Sequence, residues 1–501
     1  MHTKTRQVEI SAHETLITST TSSSNKEMWF GFRMRFKKRR TRLMVTFSAF
    51  IILAYFDPLK REDIDNKKST PTTMTTVENT KSAKIPQATK NQDTNDISDS
   101  TKAIASSQYI FPIGTYPSSH SATIIALENQ SNKYGENNGT DYRLLASWFA
   151  GTEENAPDVA IYTSTYDSRT SSWQSIPDVA VDAFRPDDSS CAILSGGEGC
   201  KLREDSLWNP VLVKENESNH VALFYKAGKH PSIWEGYVKR SRNGGKTWGQ
   251  SEKLPRNIIG PAKNKILEVN SRLWLAPSSR EENAKNGSRN WKLIIERSHD
   301  AGKSWDAEEN VEIPYDGNAI QPSIWQGDDG YLRMVARTAT DYDEKGRRAD
   351  QVKFKKQTLI RGKKYIIYSK SLDKEGEKWQ MAKPTALPCP NSGIDAVKLK
   401  DGRVVIIYNH SWGLKSLGRG KLNVAISHDD GLTWIPSSIV VLENFDDGTL
   451  SNVNVDRKKQ KKPIEMSYPA VIQDTRTDLI HVAYTYDRQS IKHVVIDPSK
   501  L

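Results

Sequence analysis

The chain is poor in cysteine, with three in 501 residues: Cys191, Cys200 and Cys389. A dense disulfide framework therefore cannot carry its stability. Cys191 and Cys200 lie close enough in sequence to close a small loop in an oxidising compartment, leaving Cys389 unpaired; three separate buried thiols is the other reading. Hydrophobic residues make up only 36%. Histidines are scattered, among them His120, His230, His410, His481 and His493, without zinc-ligand spacing. There is no glycine-rich phosphate loop, no Gly-x-Ser-x-Gly elbow and no loop dense in carboxylates. These absences leave no metal or cofactor to expect. The formal charge of +11 is uneven, with basic runs at Lys37-Lys38-Arg39-Arg40 and at 457–462. The first reads as a topology signal and the second as a surface loop. With no nucleic-acid motif beside them, no nucleic-acid partner is expected.

Long apolar runs are also scarce. The one that stands out, LMVTFSAFIILAYF at 43–56, is short for a membrane span but has a strongly basic N-terminal flank and no clear small-residue cleavage site. It reads as a signal anchor over 43–59, preceded by a basic cytoplasmic tail, 1–42. A cleaved signal or a buried segment is the alternative. Residues 60–107 are rich in Thr, Ser, Lys, Asn and Asp and almost free of aromatics. Such a segment cannot bury enough apolar surface to fold and reads as a disordered stem. The expected layout is a single-pass type II membrane protein whose domain, 108–501, lies in the lumen of the secretory pathway or outside the cell. Sequons at Asn129, Asn138, Asn216, Asn286 and Asn409 agree with that placement.

What the chain does have is an internal repeat. Ser241-Arg242-Asn243-Gly244-Gly245-Lys246-Thr247-Trp248 returns as 298–305, SHDAGKSW, and as 427–434, SHDDGLTW. In the pattern Ser-x-Asp/Asn-x-Gly-x-x-Trp, Ser and Asp or Asn can bond a tight turn's own backbone, Gly supplies an unusual backbone angle, and Trp packs the turn down. Degenerate copies run from Thr165 to Trp173 and from Ser371 to Trp379. The tryptophans at 173, 248, 305, 379 and 434 are about 55 to 75 residues apart, the length of a four-stranded blade plus a variable loop. Six sets of three alternating, β-rich strands accompany the series. The expectation is an all-β, six-bladed β-propeller of four-stranded antiparallel blades, the last blade completed by residues near 109–113.

In a propeller the first strand of each blade lines the axis. Aligning the repeats puts one polar residue just before each such strand: His120, Asn209, Asn264, Gln321, Asp395 and Tyr468. Blade construction does not require polarity there, so the ring is a candidate site; channel solvation and strand capping are the competing reading. Lys226, His410 and Arg488, at exits of second strands, read as solvated loop residues. The acidic loop 151–158 carries Glu153 and Glu154, either of which suits a general acid if it overhangs a pocket and is a solvated loop residue if it does not.

From about Tyr109 onward, the boxes together with WFAGTEENAPDVAIY, GPAKNK, NSGIDAV, YNHS and SYPAVIQ resemble the BNR/Asp-box, sialidase-like family. That resemblance implies a glycan substrate, a nucleophilic tyrosine at Tyr468, clamp arginines at Arg337 and Arg419, and an acid/base near Glu153 or Glu154. Two arginines suit a planar carboxylate, and a phenol can attack an anionic sugar without adding a second negative charge. The chain departs from the pattern twice. Ser119-His120-Ser121 stands where an Arg-Ile-Pro motif is usual, and Gln321 stands where the tyrosine's glutamate is usual. Glu296 and Asp395 are possible replacements for that base. The resulting expectation is a membrane-anchored exo-glycoside hydrolase acting on a terminal sugar, acidic or neutral. The alternatives are a uronate-specific polysaccharide lyase using His120 and Tyr468, and a non-catalytic glycan-binding propeller.

Overall fold

Period-two alternation sends the two faces of a strand to different neighbours. In Val404–Tyr408, Val405 and Ile407 pack toward the following blade, while Val404, Ile406 and Tyr408 pack toward the preceding one. Repeated around a ring, this gives every blade two buried faces. The computed structural model describes residues 101–127, 141–183, 204–215, 219–283, 289–341, 363–412, 418–435, 440–444 and 464–501. They form six antiparallel sheets around one axis, the six-bladed propeller read from the repeat. Six apolar clusters hold it together, one between each pair of successive blades and one between the sixth and the first.

The innermost strands are Ser118–Leu127, Leu207–Lys214, Leu267–Glu268, Ala319–Gln326, Asp395–Lys398 and Met466–Gln473. Each pairs with a second strand: Arg143–Gly151, Val221–Ala227, Trp274–Asn283, Leu332–Thr338, Val404–Tyr408 and Ile480–Tyr486. In the first blade the outer edge is split into two short segments, Ser172–Trp173 and Asp178–Val181.

The ring is closed by Ile104–Tyr109, which supplies the sixth blade's outer strand by pairing with Ser490–Ile496. That strand lies earlier than the expected 109–113. Ile110 and Phe111 fill the apolar cluster between the sixth and first blades instead, so the folded segment includes residues expected in the stem. The rest of that stem, the tail and the anchor, Cys191 and Cys200, the basic run at 457–462 and four of the five sequons lie outside the described residues. The fifth is not an open acceptor: Asn409 is buried, and its amide donates to Lys421 O at 2.6 Å and Met466 O at 2.8 Å. Cys389 is a buried free thiol. Among the described residues no helix is long and apolar enough to cross a membrane.

The Asp-boxes are turn clips. Ser298 Oγ donates to Asp300 Oδ1 at 2.8 Å and accepts from Gly302 N at 2.9 Å, and Asp300 Oδ1 accepts from Ser304 N at 2.8 Å. The same bonds recur at Ser241/Asn243 and at Ser427/Asp429. Gly302 has φ +76°, and a Cβ there would meet the Trp274 ring at 2.6 Å, which is why the box needs glycine.

Candidate active site

At one end of the axis four innermost strands break register: between His120 and Thr123, Trp208 and Val211, Ile320 and Ser323, and Ser467 and Ala470. Each break contains a non-glycine residue in the left-handed region: Ser121 (φ 57°), Asn209 (31°), Gln321 (56°) and Tyr468 (53°). Such backbone costs about 1–3 kcal/mol per residue and persists only where the surroundings over-determine it. Three of the four precede proline, and Gly260 (φ +71°), before Pro261, is the third blade's version. Ala262 N donates to Pro277 O, so the third blade's chain meets its second strand directly after the Gly260-Pro261 step. In the fifth blade Asp395 pairs with Ile407, so the ring position falls on Gly393. The bulge ring is therefore Ser121, Asn209, Gly260, Gln321, Gly393 and Tyr468.

Three members of the predicted ring have side chains bound to the scaffold. Asn209 Nδ2 donates to Ala262 O at 3.0 Å. Asn264 Nδ2 donates to Gln321 O at 3.1 Å and Pro322 O at 3.0 Å. The Asp395 carboxylate accepts from Lys265 Nζ (2.8 Å), Ser323 Oγ (2.7 Å) and Val471 N (2.9 Å), tying four blades together. Glu296 likewise accepts from Ile259 N at 3.0 Å, Gly260 N at 2.7 Å and Ser278 Oγ at 2.9 Å, so it braces the Gly260 bulge. Neither Asp395 nor Glu296 is hydrogen-bonded to the Tyr468 phenol.

The other three converge with the arginines. Arg337 Nη1 donates to Tyr468 Oη at 2.6 Å and Gln321 Oε1 at 3.0 Å, while its Nε donates to Asn391 Oδ1 at 3.0 Å. Arg337 and Arg419 both lie over the Tyr468 ring, 5.5 and 5.6 Å from its centroid. The His120 ring is 4.1 Å from the Tyr468 ring. Its Nδ1 bonds Thr485 Oγ1 at 2.9 Å, and its buried Nε2 has no partner among the described residues. Burial first, and then Arg488, hold the His120 imidazole well below its usual proton affinity, so it is neutral.

Residues outside the predicted ring complete the network. Arg419 donates to Glu465 Oε1 at 2.7 Å and Asn391 O at 2.9 Å. Glu465 also accepts from Ser467 Oγ at 2.5 Å and Arg488 Nε at 2.8 Å. Arg488 Nη1 then reaches Glu154 Oε2 at 2.7 Å. Burial alone would raise the Glu465 carboxyl, but the opposed charges outweigh it and hold it well below the usual range. With His120 neutral, Arg488 and Arg419 are what keep Glu465 ionised. Arg488, which reads in the sequence as a solvated loop residue, is thus part of the site. Lys226 is not solvated either: it is buried, and its Nζ donates to Asn209 O and Pro261 O. His410 is exposed, as expected. Glu153 is exposed in a loop whose shape is held by Asp158, which accepts from Thr152 N and Oγ1, each at 2.9 Å.

Glu465, Asn391 and Arg488 are invisible to a strand alignment because they sit in loops at the mouth. The signal that would have corrected the ring is the Xaa-Pro pair shared by Asn209-Pro210, Gly260-Pro261, Gln321-Pro322 and Tyr468-Pro469. Among the described residues no cluster of His, Cys, Asp and Glu suits a metal. A large groove of about 1380 Å³ lies away from this site, between the box turns of the second and third blades.

A family model described as a BNR repeat-like domain matches residues 142–482. No curated protein matches by sequence. Among solved structures, a Dyadobacter fermentans protein of unknown function is similar at 13% identity and TM-score 0.52, covering 79% of this chain and 98% of its own. A point mutant of the NanB sialidase of Streptococcus pneumoniae is similar at 14% identity and TM-score 0.48, covering 77% and 70%. A Trypanosoma rangeli sialidase bound to the inhibitor DANA is similar at 13% identity and TM-score 0.46, covering 78% and 59%.

Proposed function

The chain belongs to the family of BNR repeat-like domains, and from that premise we propose that its axial site is that of an exo-glycoside hydrolase acting on a terminal sugar of a glycan. The observation that carries this reading is the convergence of Tyr468 with Arg337 and Arg419 at one end of the axis, with Arg337 donating to the phenol oxygen. A phenol oxygen fixed by a guanidinium is placed to attack, or to stabilise positive charge at, an anomeric carbon. Glu153 and Glu154 stand at the rim, within the loop that would cover a bound sugar.

The charge count bears on the sugar. Arg419 and Arg488 both donate to Glu465, and Arg488 also to Glu154. Arg337 is the one of the three whose guanidinium donates to no carboxylate: its partners are Asn391 Oδ1, Gln321 Oε1 and Tyr468 Oη. In our reading an acidic group on the sugar meets one guanidinium, and a neutral sugar is accommodated equally. We also retain the type II anchor at 43–59; protease protection of the propeller in sealed vesicles would support it, and digestion from the cytoplasmic side would refute it.

The test is direct. The full chain is incubated with glycans ending in sialic acid, uronic acids, neutral hexoses and pentoses, and released sugars are identified by mass spectrometry. Release that is lost in Tyr468→Phe supports the reading; release that persists in Tyr468→Phe and Arg337→Ala refutes this site. The non-catalytic glycan-binding reading has one observation in its favour, that no carboxylate is hydrogen-bonded to the Tyr468 phenol among the described residues. Binding across the panel without turnover would select it.

A further inference from the structure

A hydrolase needs a group that delivers a proton to the departing glycosidic oxygen, and the network around Tyr468 contains none. Glu465 is held ionised by Arg419 and Arg488, and Glu154 is bound to Arg488. The second strand of the third blade runs past the axis at this level. Its Ser279 Oγ accepts from the backbone N of Gln321, at 2.7 Å, inside the site. Two residues on, and therefore on the same face of the strand, stands Glu281, one pleat nearer the mouth. Its Oε1 is sealed from solvent and has no hydrogen-bond partner among the described residues. Unlike the other buried carboxyls, it is therefore not built into the scaffold. It lines a cavity of about 160 Å³ together with Trp234, Ile259, Ser279 and Glu296. The charges that face it are Arg337 from the fourth blade and Glu154 from the first blade's loop, with Arg280, Glu282 and Glu296 around the same cavity.

We infer that Glu281 is the catalytic acid/base of this site, a role that rests on the hydrolase reading above. In the first step the bond between the anomeric carbon and the leaving oxygen breaks. Its electron pair stays on the oxygen, which takes the Glu281 proton, and the alcohol departs, leaving the anomeric carbon as an oxocarbenium cation against the Tyr468 oxygen. In the second step a water oxygen bonds to the anomeric carbon and loses a proton to the Glu281 carboxylate, restoring the acid. The environment agrees: burial, reinforced by Glu154 and opposed by Arg337, pushes the carboxyl up to about 7, so it is largely protonated in mildly acid solution.

The experiment uses the full chain and two substrates for the sugar that the wild type releases, the natural glycan and its 4-nitrophenyl glycoside. Nitrophenolate departs without protonation, so an acid is needed only for the natural linkage. Glu281→Gln should lower release from the glycan by about 10²–10⁴-fold and from the aryl glycoside far less, and should abolish the decline in rate as pH rises through 7. Glu281→Asp, which keeps a carboxyl, should retain the pH limb, and Glu312→Gln, on the outer strand of the same blade, should behave as wild type. Equal losses on both substrates with the pH limb intact would overturn the assignment and leave the hydrolase reading standing. No release by the wild type from any glycan would overturn both.

Discussion

The polar residues of the second and third blades and those of the fourth to sixth occupy the same level of the axis and have different partners. On the first side they bind main-chain carbonyls. Lys226 Nζ donates to Asn209 O and Pro261 O, and Lys263 Nζ crosses the axis to Ile394 O and Pro469 O as well as Asn264 Oδ1. On the second side they bind mainly side chains: Tyr468, Arg337, Asn391, Arg419, Glu465 and Arg488 make one unbroken chain of polar contacts, which passes through the Asn391 carbonyl to Arg419 and ends on Glu154 of the first blade at the exposed rim. Polarity at the axis is therefore not what marks a site. A buried donor satisfied by the backbone stabilises the ring; a side chain held by other side chains can exchange a partner for a ligand.

The largest effect should come from the second side. Tyr468→Phe and Arg337→Ala are expected to reduce sugar release on the order of 10²–10³-fold or more, with melting temperatures close to wild type, measured by product mass spectrometry beside thermal denaturation. Lys263→Met should do the reverse. It strands the carbonyls of Ile394 and Pro469, and stability should fall by roughly 2–5 kcal/mol in denaturant titrations. Release per folded molecule should change far less than in Tyr468→Phe. If Lys263→Met inactivates a chain of unchanged stability, the two sides do not differ in the way described.

The third effect sharpens the comparison through pH. Glu465 is the carboxylate on which Arg419 and Arg488 meet. Its folded-state carboxyl titrates below its ordinary value, so the stability it contributes is present above the usual glutamate range and is lost as pH falls toward the folded value. Glu465→Gln should therefore be less stable than wild type at pH 7, by about 3 kcal/mol since two guanidiniums lose their partner, and the two unfolding curves should converge in acid. A gap that stays constant down to low pH would show that the network adds no electrostatic stability.

Much of the fold could be read from the chain because the Asp-box is local. Its Ser, Asp and Gly satisfy one another within a few residues, so the pattern survives in sequence and counts the blades. Tyr468, Arg337 and Gln321 were legible for a related reason, since they sit on strands whose register the boxes set. The ring was displaced by one residue in the first blade, to Ser121, and further in the third and fifth, because a bulge is a backbone event. Asn264 and Asp395 have the right polarity, but Gly260 and Gly393 have the right position, and glycine gives no polar signal. Glu465, Arg488 and Asn391 depend on loops meeting across blades, which no single repeat encodes.

Gly393 supplies the smallest and most local test. It occupies the fifth blade's ring position, and an added Cβ would sit 3.0 to 3.2 Å from three atoms of the Tyr468 ring. That is closer than carbon atoms normally approach, yet the neighbour is a side chain ring rather than main chain. The ring can yield by a few tenths of an ångström, and the phenol would then move against Arg337 Nη1. Gly393→Ala should therefore leave stability within about 1 kcal/mol of wild type while lowering kcat several-fold, because the cost falls on orientation of the phenol rather than on packing of the blade. Gly302→Ala is the counterpart at an outer box: its Cβ would meet Trp274 at 2.6 Å from a left-handed backbone, so melting temperature should fall and kcat of the folded chain should not. If both glycine variants lose stability alike and neither alters kcat, Gly393 is scaffold, and the fifth blade belongs with the second and third rather than with the site.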